Sequence, residues 1–366
     1  MKVVVAMSGG VDSSAVAGLM VEQGHEVIGL AMKTHDLEPK QNRACCTPDD
    51  MRDARRVADT LGIPFYVLNY ADVFRERIIE PFAQAYLRGE TPNPCVECND
   101  KVKFRPMLKR AKVLGADRLV TGHYARIERV DGEARLLRGV DDAKDQSYFL
   151  YRLNAAQLAE LDFPLGGMTK DQVREHARRF GLPVAEKHES QEICFVGAEG
   201  YAATVEKIAG RVGRLGPILN QDGETLGQHQ GVHRYTHGQR RGLGISSPEP
   251  LYVTNIDAES GAVQVGPKSA LETETVVVGE AHWIGSAPED GTEVLVQQRY
   301  REKPKSGKLE KLEGGGVRVH FDAAQGRGAP GQACVIYQGD RVLGGGDVDV
   351  VGVELRERRV QRGGLS

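Results

Sequence analysis

The segment Lys2–Gln23, KVVVAMSGGVDSSAVAGLMVEQ, decides how the first part of the chain folds. Lys2–Met7 is a short apolar run with three valines, which is typical of a buried strand. Ser13–Gln23 carries apolar residues at helical spacing and predicts a helix. The intervening string Ser8–Ser14, SGGVDSS, therefore joins a strand to the N-terminus of a helix.

The same alternation of strand and helix continues to about residue 125. Apolar runs predict further strands at Glu26–Lys33, Pro64–Tyr70 and Asp117–Gly122. Helices are predicted from an N-cap at Thr47 to a stop at Gly62, over Val73–Leu87 and over Arg105–Leu114. Strands separated by helices imply an α/β fold, a parallel sheet with helices on both faces.

The pattern changes in the second half of the chain. Arg126–Val140 predicts a hairpin that turns at Asp131-Gly132, and helices follow at Ala155–Leu161 and Lys170–Phe180. Beyond about Gly210, glycines punctuate short β-rich runs. We therefore expect three domains: an α/β domain over 1–205, a small β-rich domain over 206–270 and a β-rich domain over 271–366.

Bulk composition restricts the class of protein. The chain has 366 residues with 40% hydrophobic and 27% charged residues, which is ordinary for a globular protein. The net charge of −3 does not by itself predict a nucleic-acid partner, because strong nonspecific binders are usually basic. No apolar stretch is long enough to cross a membrane, and the chain opens on a strand, so neither a membrane span nor a signal peptide is expected. Six cysteines are too few for a disulfide scaffold and suggest the reducing cytoplasm.

The string Ser8–Ser14 has the composition of a phosphate-binding loop. Glycines let the backbone approach an anion, and the free N–H groups at a helix start attract phosphate. The serine hydroxyls add donors, while Asp12 suggests Mg²⁺ bound together with pyrophosphate. The loop lacks the Gly-Lys-Ser/Thr ending of a Walker A motif. A plain Gly-Ser turn is the alternative, and the aspartate and serines at these offsets favour the phosphate loop.

The second signal is Thr91–Asn99, TPNPCVECN. Its two prolines predict a rigid, non-helical segment, and Lys101, Lys103 and Arg105 are close enough in sequence to stabilise a thiolate. Three interpretations of its Cys-x-x-Cys pair compete. It is half of a metal or iron–sulfur site, a thioredoxin-like redox pair, or one catalytic cysteine with a bystander. No second Cys-x-x-Cys is present, and no helix is expected to begin between the cysteines.

The remaining cysteines carry less information on their own. Cys194, between Ile193 and Phe195, is by its neighbours more typical of a core residue. Cys45, Cys46 and Cys334 are assigned no role.

Several motifs together resemble one family. SGGVDSS resembles the PP-loop of ATP pyrophosphatases, which split ATP between its α and β phosphates and adenylate an oxygen. The chain as a whole resembles the tRNA-specific 2-thiouridylases, which put sulfur on C2 of the wobble uridine of certain tRNAs. The motifs that carry this second resemblance are TPNPC-x-x-CN at 91–99, TGHY at 121–124, KDQSY at 144–148, ICF at 193–195 and HGQRRGLG at 237–244.

The resemblance implies both a fold and a set of site residues. The fold is an adenine nucleotide alpha hydrolase-like PP-loop domain followed by two small β-rich domains, the last a β-barrel. Cys98 is the implied nucleophile and Cys194 the implied persulfide carrier, with Asp12 in the catalytic loop. The implied ATP contacts are Ala6, Met7, Ser8, Gly9, Gly10, Val11, Asp12, Ser13, Met32 and Gly122. The implied contacts to the target base and tRNA are Asn93, Pro94, Cys95, His123, Lys144, Asp145, Gln146, Arg299, Tyr300 and Gln332.

The implied reactants are ATP with Mg²⁺, a tRNA with a wobble uridine, and a carrier protein that delivers the persulfide. Sulfur reaches C2 either by direct attack of the Cys194 persulfide or as hydrosulfide that Cys98 releases. No structural metal is expected, and an iron–sulfur cluster on Cys98, Cys194 and a third ligand is conceivable but not favoured. The competing hypotheses are an amide- or guanidine-forming ATP ligase and a noncatalytic RNA-binding protein with a relict loop. The sequence does not identify the carrier, the tRNAs or the oligomeric state.

Overall fold

The computed structural model describes residues 1–34, 48–188 and 193–349. Within the first two ranges, five strands form an all-parallel sheet in the order β3-β2-β1-β4-β7. Valines of β1 alternate between the two faces, so Val4 joins one buried cluster while Val3 and Val5 join the other. A sheet covered on both faces is the α/β architecture that the sequence predicts, and this prediction is confirmed.

The elements of this α/β region follow the chain in strict alternation at first. They are β1 (Lys2–Ala6), α1 (Val11–Glu22), β2 (Glu26–Lys33), α2 (Pro48–Leu61), β3 (Phe65–Asn69), α3 (Ala71–Phe74), α4 (Glu80–Leu87), α5 (Pro94–Glu97), α6 (Arg105–Val113), β4 (Arg118–Val120), β5 (Ala125–Val130), β6 (Glu133–Arg138), α7 (Ala155–Ala159), β7 (Leu161–Asp162), α8 (Lys170–Arg179) and α9 (Tyr201–Ala209). Wider π-helical turns, Arg75–Ile79 and Cys98–Phe104, join α3 to α4 and α5 to α6.

The order of strands places the first loop at a switch point. The chain moves from β1 outward to β2 and β3, and then returns to the other side of β1 with β4. In open α/β sheets, ligands bind outside the carboxyl ends of the strands at such a reversal. The loop after β1 occupies this position.

A small mixed sheet follows within the described part of the chain. It has the order β10-β11-β8-β9, and its strands are β8 (Gly216–Leu219), β9 (Thr225–His229), β10 (Tyr252–Asp257) and β11 (Ala262–Gly266). Its core is a separate apolar cluster that includes Ile218, Val253 and Val263.

The last strands curl into a closed barrel. They are β12 (Glu272–Val278), β13 (His282–Trp283), β14 (Glu293–Gln297), β15 (Lys305–Lys311), β16 (Val317–Gly326), β17 (Ala333–Gln338) and β18 (Arg341–Asp347). A bridge between Val278 and Val348, with Asp349 N–H donating to Val277 C=O at 2.9 Å, joins the end of β18 back to β12. Closure removes the exposed edges of the sheet.

The hairpin β5–β6 links the α/β region to this barrel. It turns at Asp131 and Gly132, as predicted, and both residues have positive φ. Its partner is unexpected, because Arg341 of β18 pairs with Leu137 of β6. The sequence pattern of a hairpin does not encode which distant strand it will join.

Candidate active site

The loop Ser8–Ser14 is held in shape by its own hydroxyl groups. Ser8 N–H donates to Ser13 Oγ at 3.1 Å, and Ser14 Oγ donates to the Gly10 carbonyl at 2.8 Å. Gly9 has φ +78°, and a Cβ there would collide with the Asp50 carbonyl of α2. The helix α1 that follows has no side-chain cap at Gly10. The loop is thus a preformed turn with a helix N-terminus behind it, which is the arrangement that binds phosphate.

Asp12 lies in a charged contact that the sequence did not predict. Its Oδ1 accepts from Lys170 Nζ at 2.7 Å and from Tyr124 Oη at 2.8 Å. Lys170 is buried at 9% exposure and comes from the first turn of α8. A lysine at a helix start opposes the helix dipole, and that anomaly is the signal in the sequence that points to a special role for Lys170.

A second lysine braces the same loop from the other side. Lys187 Nζ donates to the Gly9 carbonyl at 3.1 Å, to Asp50 at 2.7 Å and to Asp53 at 2.6 Å. Burial acts to lower the pKa of Lys187, but the hydrogen bonds to the two carboxylates outweigh it and raise the pKa. Lys187 is therefore a fixed cation beside the phosphate loop, and sequence reasoning missed it because the turn before it carries no motif.

The predicted nucleotide contacts gather at one edge of the sheet. Ala6 ends β1, the buried Met32 lies near the end of β2, and Gly122 follows β4. A Cβ on Gly122 would lie 3.0 Å from Ser13 N, so only glycine lets β4 approach the start of α1 this closely. The predicted residues thus meet around the loop, on the three central strands of the sheet.

The donor set fits a nucleotide better than a metal ion held by protein alone. Among the described residues, no group of three or more His, Cys, Asp or Glu side chains is arranged to hold a metal. Asp50 and Asp53 are paired with Lys187 and Asp12 with Lys170, and Asp12 is the one of these three carboxylates that lies in the loop itself. A Mg²⁺ ion there would be held mainly by phosphate oxygens, with Asp12 beside it.

The Cys-x-x-Cys segment is helical, so the prediction of a non-helical segment over Thr91–Asn99 is wrong from Pro94 onward. Helix α5 begins at Pro94, which fills the first helical position, where its missing N–H costs nothing. It continues through the π-helical turn that starts at Cys98. This helix begins before both cysteines and not between them, as the sequence predicts, and Cys95 is exposed while Cys98 is buried.

The basic residues near Cys98 are paired with carboxylates. Lys101 Nζ lies 2.5 Å from Glu97 Oε2, and Arg105 lies 2.8 Å from Asp100 Oδ1. These cations are shared with acids and do not form the purely basic surrounding that the sequence suggested.

Cys194 reaches the same apolar cluster as Cys98. The adjacent Phe195 packs edge-on against Phe74 at 5.8 Å and Phe82 at 5.0 Å between ring centroids. Cys98 is a member of that cluster and Cys194 packs against it. Cys98 and Cys194, which are far apart in sequence, therefore contact the same apolar cluster. Residues 189–192, which precede this segment, and also Cys45 and Cys46, lie outside the described residues.

Cys334 is a barrel residue with no exposed surface. Burial, together with nearby Glu302, raises the pKa of its thiol to about 12, so the thiol stays protonated at neutral pH. A protonated, buried thiol is a poor nucleophile.

Segments that carry several of the predicted base and tRNA contacts meet at the junction between α5 and the barrel. Thr91 N–H donates to the Pro330 carbonyl at 2.8 Å, and Tyr148 Oη donates to the Ala333 carbonyl at 2.8 Å. The ring of Tyr300 lies 4.4 Å from that of Phe149. Segments that are more than 200 residues apart in sequence therefore meet at one place.

Buried acceptors line this junction without protein partners. Asn99 Oδ1, Gln332 Oε1 and Thr91 Oγ1 are buried and have no hydrogen-bond partner among the described residues. Unsatisfied buried polar atoms are rare and costly, and they are commonly the groups that a ligand satisfies. Asn99 directly follows Cys98, so these atoms mark the cysteine end of the site.

The other predicted tRNA residues differ in how accessible they are. Asp145 is buried, and its carboxylate accepts from Gly139 N–H at 2.9 Å and Ser147 Oγ at 3.0 Å. Gln146 Oε1 accepts from Tyr124 N–H at 3.1 Å. Both side chains shape the turn that carries the half-buried Lys144, so contact with RNA by Asp145 would be indirect.

His123 is held in an aromatic environment. Its ring lies 5.5 Å from Phe104 and 5.8 Å from Phe163, and its Nδ1 shares a 2.7 Å hydrogen bond with Thr121 Oγ1. Burial, followed by the charge of Lys103, lowers the pKa of His123 to about 3. The ring is therefore neutral at physiological pH.

Arg299 and Arg152 lie where the barrel meets the rest of the molecule. The exposed Arg299 lies beside the loop at Gly238, where an added Cβ would be 3.5 Å from its Nη2. Arg152 bonds Glu97 at 2.5 Å and Asp347 at 3.1 Å, so it joins the residue before Cys98 to the end of β18. Sequence reasoning missed Arg152 because it stands in no motif.

Comparison with known proteins covers nearly the whole chain. Three family models match: a tRNA methyl transferase HUP domain over residues 1–198, a tRNA methyl transferase PRC-barrel domain over 206–267 and an aminomethyltransferase beta-barrel domain over 273–348. None of the described helices is long and apolar enough to cross a membrane.

The similar curated relatives share one description. The tRNA-specific 2-thiouridylase MnmA of Geobacter metallireducens is 50% identical over 360 residues, which cover 96% of this chain and 98% of the relative. That of Rickettsia bellii is 50% identical over 347 residues, which cover 94% and 95%. A solved 4-thiouridine synthetase–RNA complex with bound ATP is far more distant, at 16% identity and a TM-score of 0.34 over 57% of this chain and 50% of that one. The near-complete match to the curated relatives shows that this chain belongs to the tRNA-specific 2-thiouridylase family.

Proposed function

We propose that this protein is an ATP-dependent enzyme that replaces the C2 oxygen of a wobble uridine in tRNA by sulfur. The observation that carries the proposal is the joint presence, in one α/β unit, of a phosphate loop and two cysteines that pack on a common cluster. Family membership supports the same reaction. Neither feature alone would separate sulfur transfer from other reactions that use ATP.

The first step removes the difficulty of the C2 carbonyl, whose oxygen is a poor leaving group. The uridine O2 attacks the α-phosphorus of ATP and pyrophosphate departs, which leaves an adenylated oxygen. The Gly9–Gly10 backbone and the start of α1 would hold the departing phosphates, while Lys170 and Lys187 offset their charge. When bound, Mg²⁺ would neutralise further phosphate charge, and Asp12 is placed to lie beside it.

The second step brings sulfur to C2 and releases AMP together with the original O2. In one route the terminal sulfur of a Cys194 persulfide attacks C2, and the Cys98 thiolate then attacks Cys194 Sγ. In the other route Cys98 attacks the persulfide first and frees hydrosulfide beside the base. Both routes end with a Cys98–Cys194 disulfide, which a thiol reductant must open before the next turnover.

The base must leave its stack to reach these groups. The junction of Asn93, Pro94 and Cys95 with Gln332 offers buried acceptors of the kind that a uridine N3–H can satisfy. Tyr300 and Arg299 extend this surface along the barrel for the flanking tRNA. A persulfide-carrying protein would load Cys194, whose side chain is partly exposed.

The proposal is tested by incubating an unmodified tRNA transcript with the enzyme, ATP, Mg²⁺ and a sulfide source. We expect 2-thiouridine at the wobble position, with AMP and pyrophosphate formed in equal amounts. A methylated nucleoside, formed from a methyl donor without ATP cleavage, would instead support the methyl transfer named by two of the family models. Transfer of an amine in place of sulfur would support a ligase, and absence of ATP–pyrophosphate exchange would support a noncatalytic binder.

A further inference from the structure

An open, solvent-exposed cavity of about 720 Å³ lies away from the phosphate loop, where the α/β region meets the small mixed sheet. Three segments form it: the start of α9 with Tyr201, the end of β9 with Gln228–Gln230, and the loop from Arg234 to Gly244. The loop belongs to the HGQRRGLG motif, for which the reaction above has no use. The volume of the cavity is in the range of sites that bind a small organic group.

The cavity has aromatic walls that are fixed in place. The Tyr201 ring packs on Tyr86 at 4.8 Å, and its hydroxyl donates to the Arg234 carbonyl at 2.9 Å. The Tyr235 and His229 rings lie 5.4 Å apart, and His229 Nδ1 accepts from Gly231 N–H at 3.0 Å. Rings that are already ordered lose little conformational entropy when a planar group stacks on them.

Amide side chains supply the polar part of the lining. Gln239 is committed to the loop, because its Oε1 accepts from Thr236 N–H at 3.0 Å and its Nε2 donates to Arg241 C=O at 3.0 Å. Gln228 and Gln230 are exposed and line the cavity. An amide offers a donor and an acceptor side by side, which matches the edge of a nucleobase.

The charges of the lining favour a neutral occupant. Among the described lining residues, Glu199 opposes Arg234, and Arg234 is also paired with Glu206 at 2.6 Å. His229 stays neutral because burial lowers its pKa. A free phosphate would find little net positive charge here, whereas the exposed Arg240 and Arg241 lie just beside the cavity and can hold a backbone.

We propose that this cavity binds an unstacked nucleotide of the tRNA, with its base between the tyrosines and Gln228 and Gln230, and with the adjoining phosphates on Arg240 and Arg241. The occupant is single-stranded, because bases paired in an A-form helix cannot enter such a pocket. This inference rests on the proposed function only in taking tRNA as the substrate. It adds a second point of RNA contact, distinct from the target base.

The test compares tRNA affinity among variants of the full-length enzyme. The double variant Gln228→Ala, Gln230→Ala is expected to bind an unmodified tRNA transcript about tenfold more weakly, since it loses the amide contacts to the edge of the base. Its salt dependence should stay unchanged, because no phosphate contact is lost. Arg240→Ala, Arg241→Ala should instead reduce the slope of log affinity against log salt by roughly two. Gln23→Ala, at the exposed end of α1, is the matched control and should bind like the wild type.

A crosslinking experiment locates the contact independently. A transcript that contains photoreactive 4-thiouridine should crosslink to peptides from 199–202 or 228–244. Unchanged affinity of the glutamine variant, or crosslinks confined to other peptides, would overturn the proposal. Unchanged tRNA affinity with slower persulfide loading by a carrier protein would assign the cavity to a protein partner and would overturn it too. Because binding is measured without catalysis, a wild type that binds tRNA but transfers no sulfur would defeat the proposed function and leave this inference standing.

Discussion

The phosphate loop and the cysteine junction are built in opposite ways. The loop Ser8–Ser14 is contiguous, and its internal hydrogen bonds join residues at most five positions apart. The cysteine junction combines Thr91–Asn99, Ile193–Phe195 and the barrel turn at Pro330–Gln332, which come from three distant parts of the chain. The shape of the phosphate loop is therefore encoded locally, although Lys170 and Lys187 brace it from distant positions. Sulfur chemistry depends on the correct docking of domains.

The largest effect is expected at the cysteine junction. Cys98→Ser and Cys194→Ser should each lower thiolation on the order of a thousandfold or more, because a lost nucleophile has no substitute. ATP–pyrophosphate exchange in the presence of tRNA should persist, since the loop is untouched. Each variant is assayed in parallel for 2-thiouridine formation and for the exchange of labelled pyrophosphate into ATP. Cys334→Ala, which alters a buried and protonated thiol, is the control and should keep its activity. Normal thiolation by either serine variant would contradict the proposed mechanism.

A substitution beside the phosphate loop should impair ATP–pyrophosphate exchange as well as thiolation, unlike the cysteine variants. Lys170→Met leaves the Asp12 carboxylate without its buried cation and removes a positive charge beside the departing phosphates. Exchange and thiolation should fall together, by about a hundredfold, the scale seen when one charge-stabilising donor is lost. Lys109→Met, on the exposed face of α6, serves as control. If exchange stayed normal while thiolation fell, Lys170 would belong to the sulfur step and the comparison between the regions would fail.

The difference between local and long-range contacts explains which features the sequence could predict. The strand, glycine turn and helix around Ser8–Ser14 are set by local periodicity, so fold class and loop followed directly. Lys170 and Lys187 were not predicted because an ion pair between residues more than 130 positions apart leaves no pattern of its own. The unfavourable position of Lys170 at a helix start is a local sign, but it does not identify the partner. The helix at Pro94 was misjudged because proline excludes helix interiors but suits the first turn. The ion pairs of Arg152 with Glu97 and Asp347 form only once the barrel packs against the α/β region, so the sequence does not predict them.

A smaller effect is expected where the barrel docks. Tyr148→Phe removes the hydroxyl that donates to the Ala333 carbonyl and leaves a buried acceptor unsatisfied. We expect a loss of about 1–3 kcal/mol in the free energy of unfolding. The KM for tRNA should rise, with little change in ATP–pyrophosphate exchange. Tyr66→Phe, at an exposed position of β3, is the matched control in thermal and denaturant unfolding. An unchanged stability and KM would show that the junction does not depend on this bond.

At neutral pH the smallest effect is expected at His123, whose contribution to stability depends on pH. The pKa of His123 is lowered from 6.5 to about 3 in the folded protein, so below pH 6.5 the unfolded chain takes up a proton that the folded protein excludes. At neutral pH, His123 therefore does not lower the free energy of unfolding. As the pH falls from 6.5 towards 3, the excluded proton lowers that free energy progressively. Denaturant unfolding of His123→Gln across this window should show a shallower acid dependence than the wild type. An identical slope would mean that the ring titrates normally in the fold.

The central claim is that the loop activates O2 before the cysteines replace it, and the fate of that oxygen tests it most directly. A tRNA labelled with oxygen-18 at C2 of its wobble uridine is thiolated in one turnover, and the products are examined by mass spectrometry. We expect the label to leave in the phosphate group of AMP, in an amount equal to the 2-thiouridine formed. Label found in water or in orthophosphate, with unlabelled AMP, would contradict it.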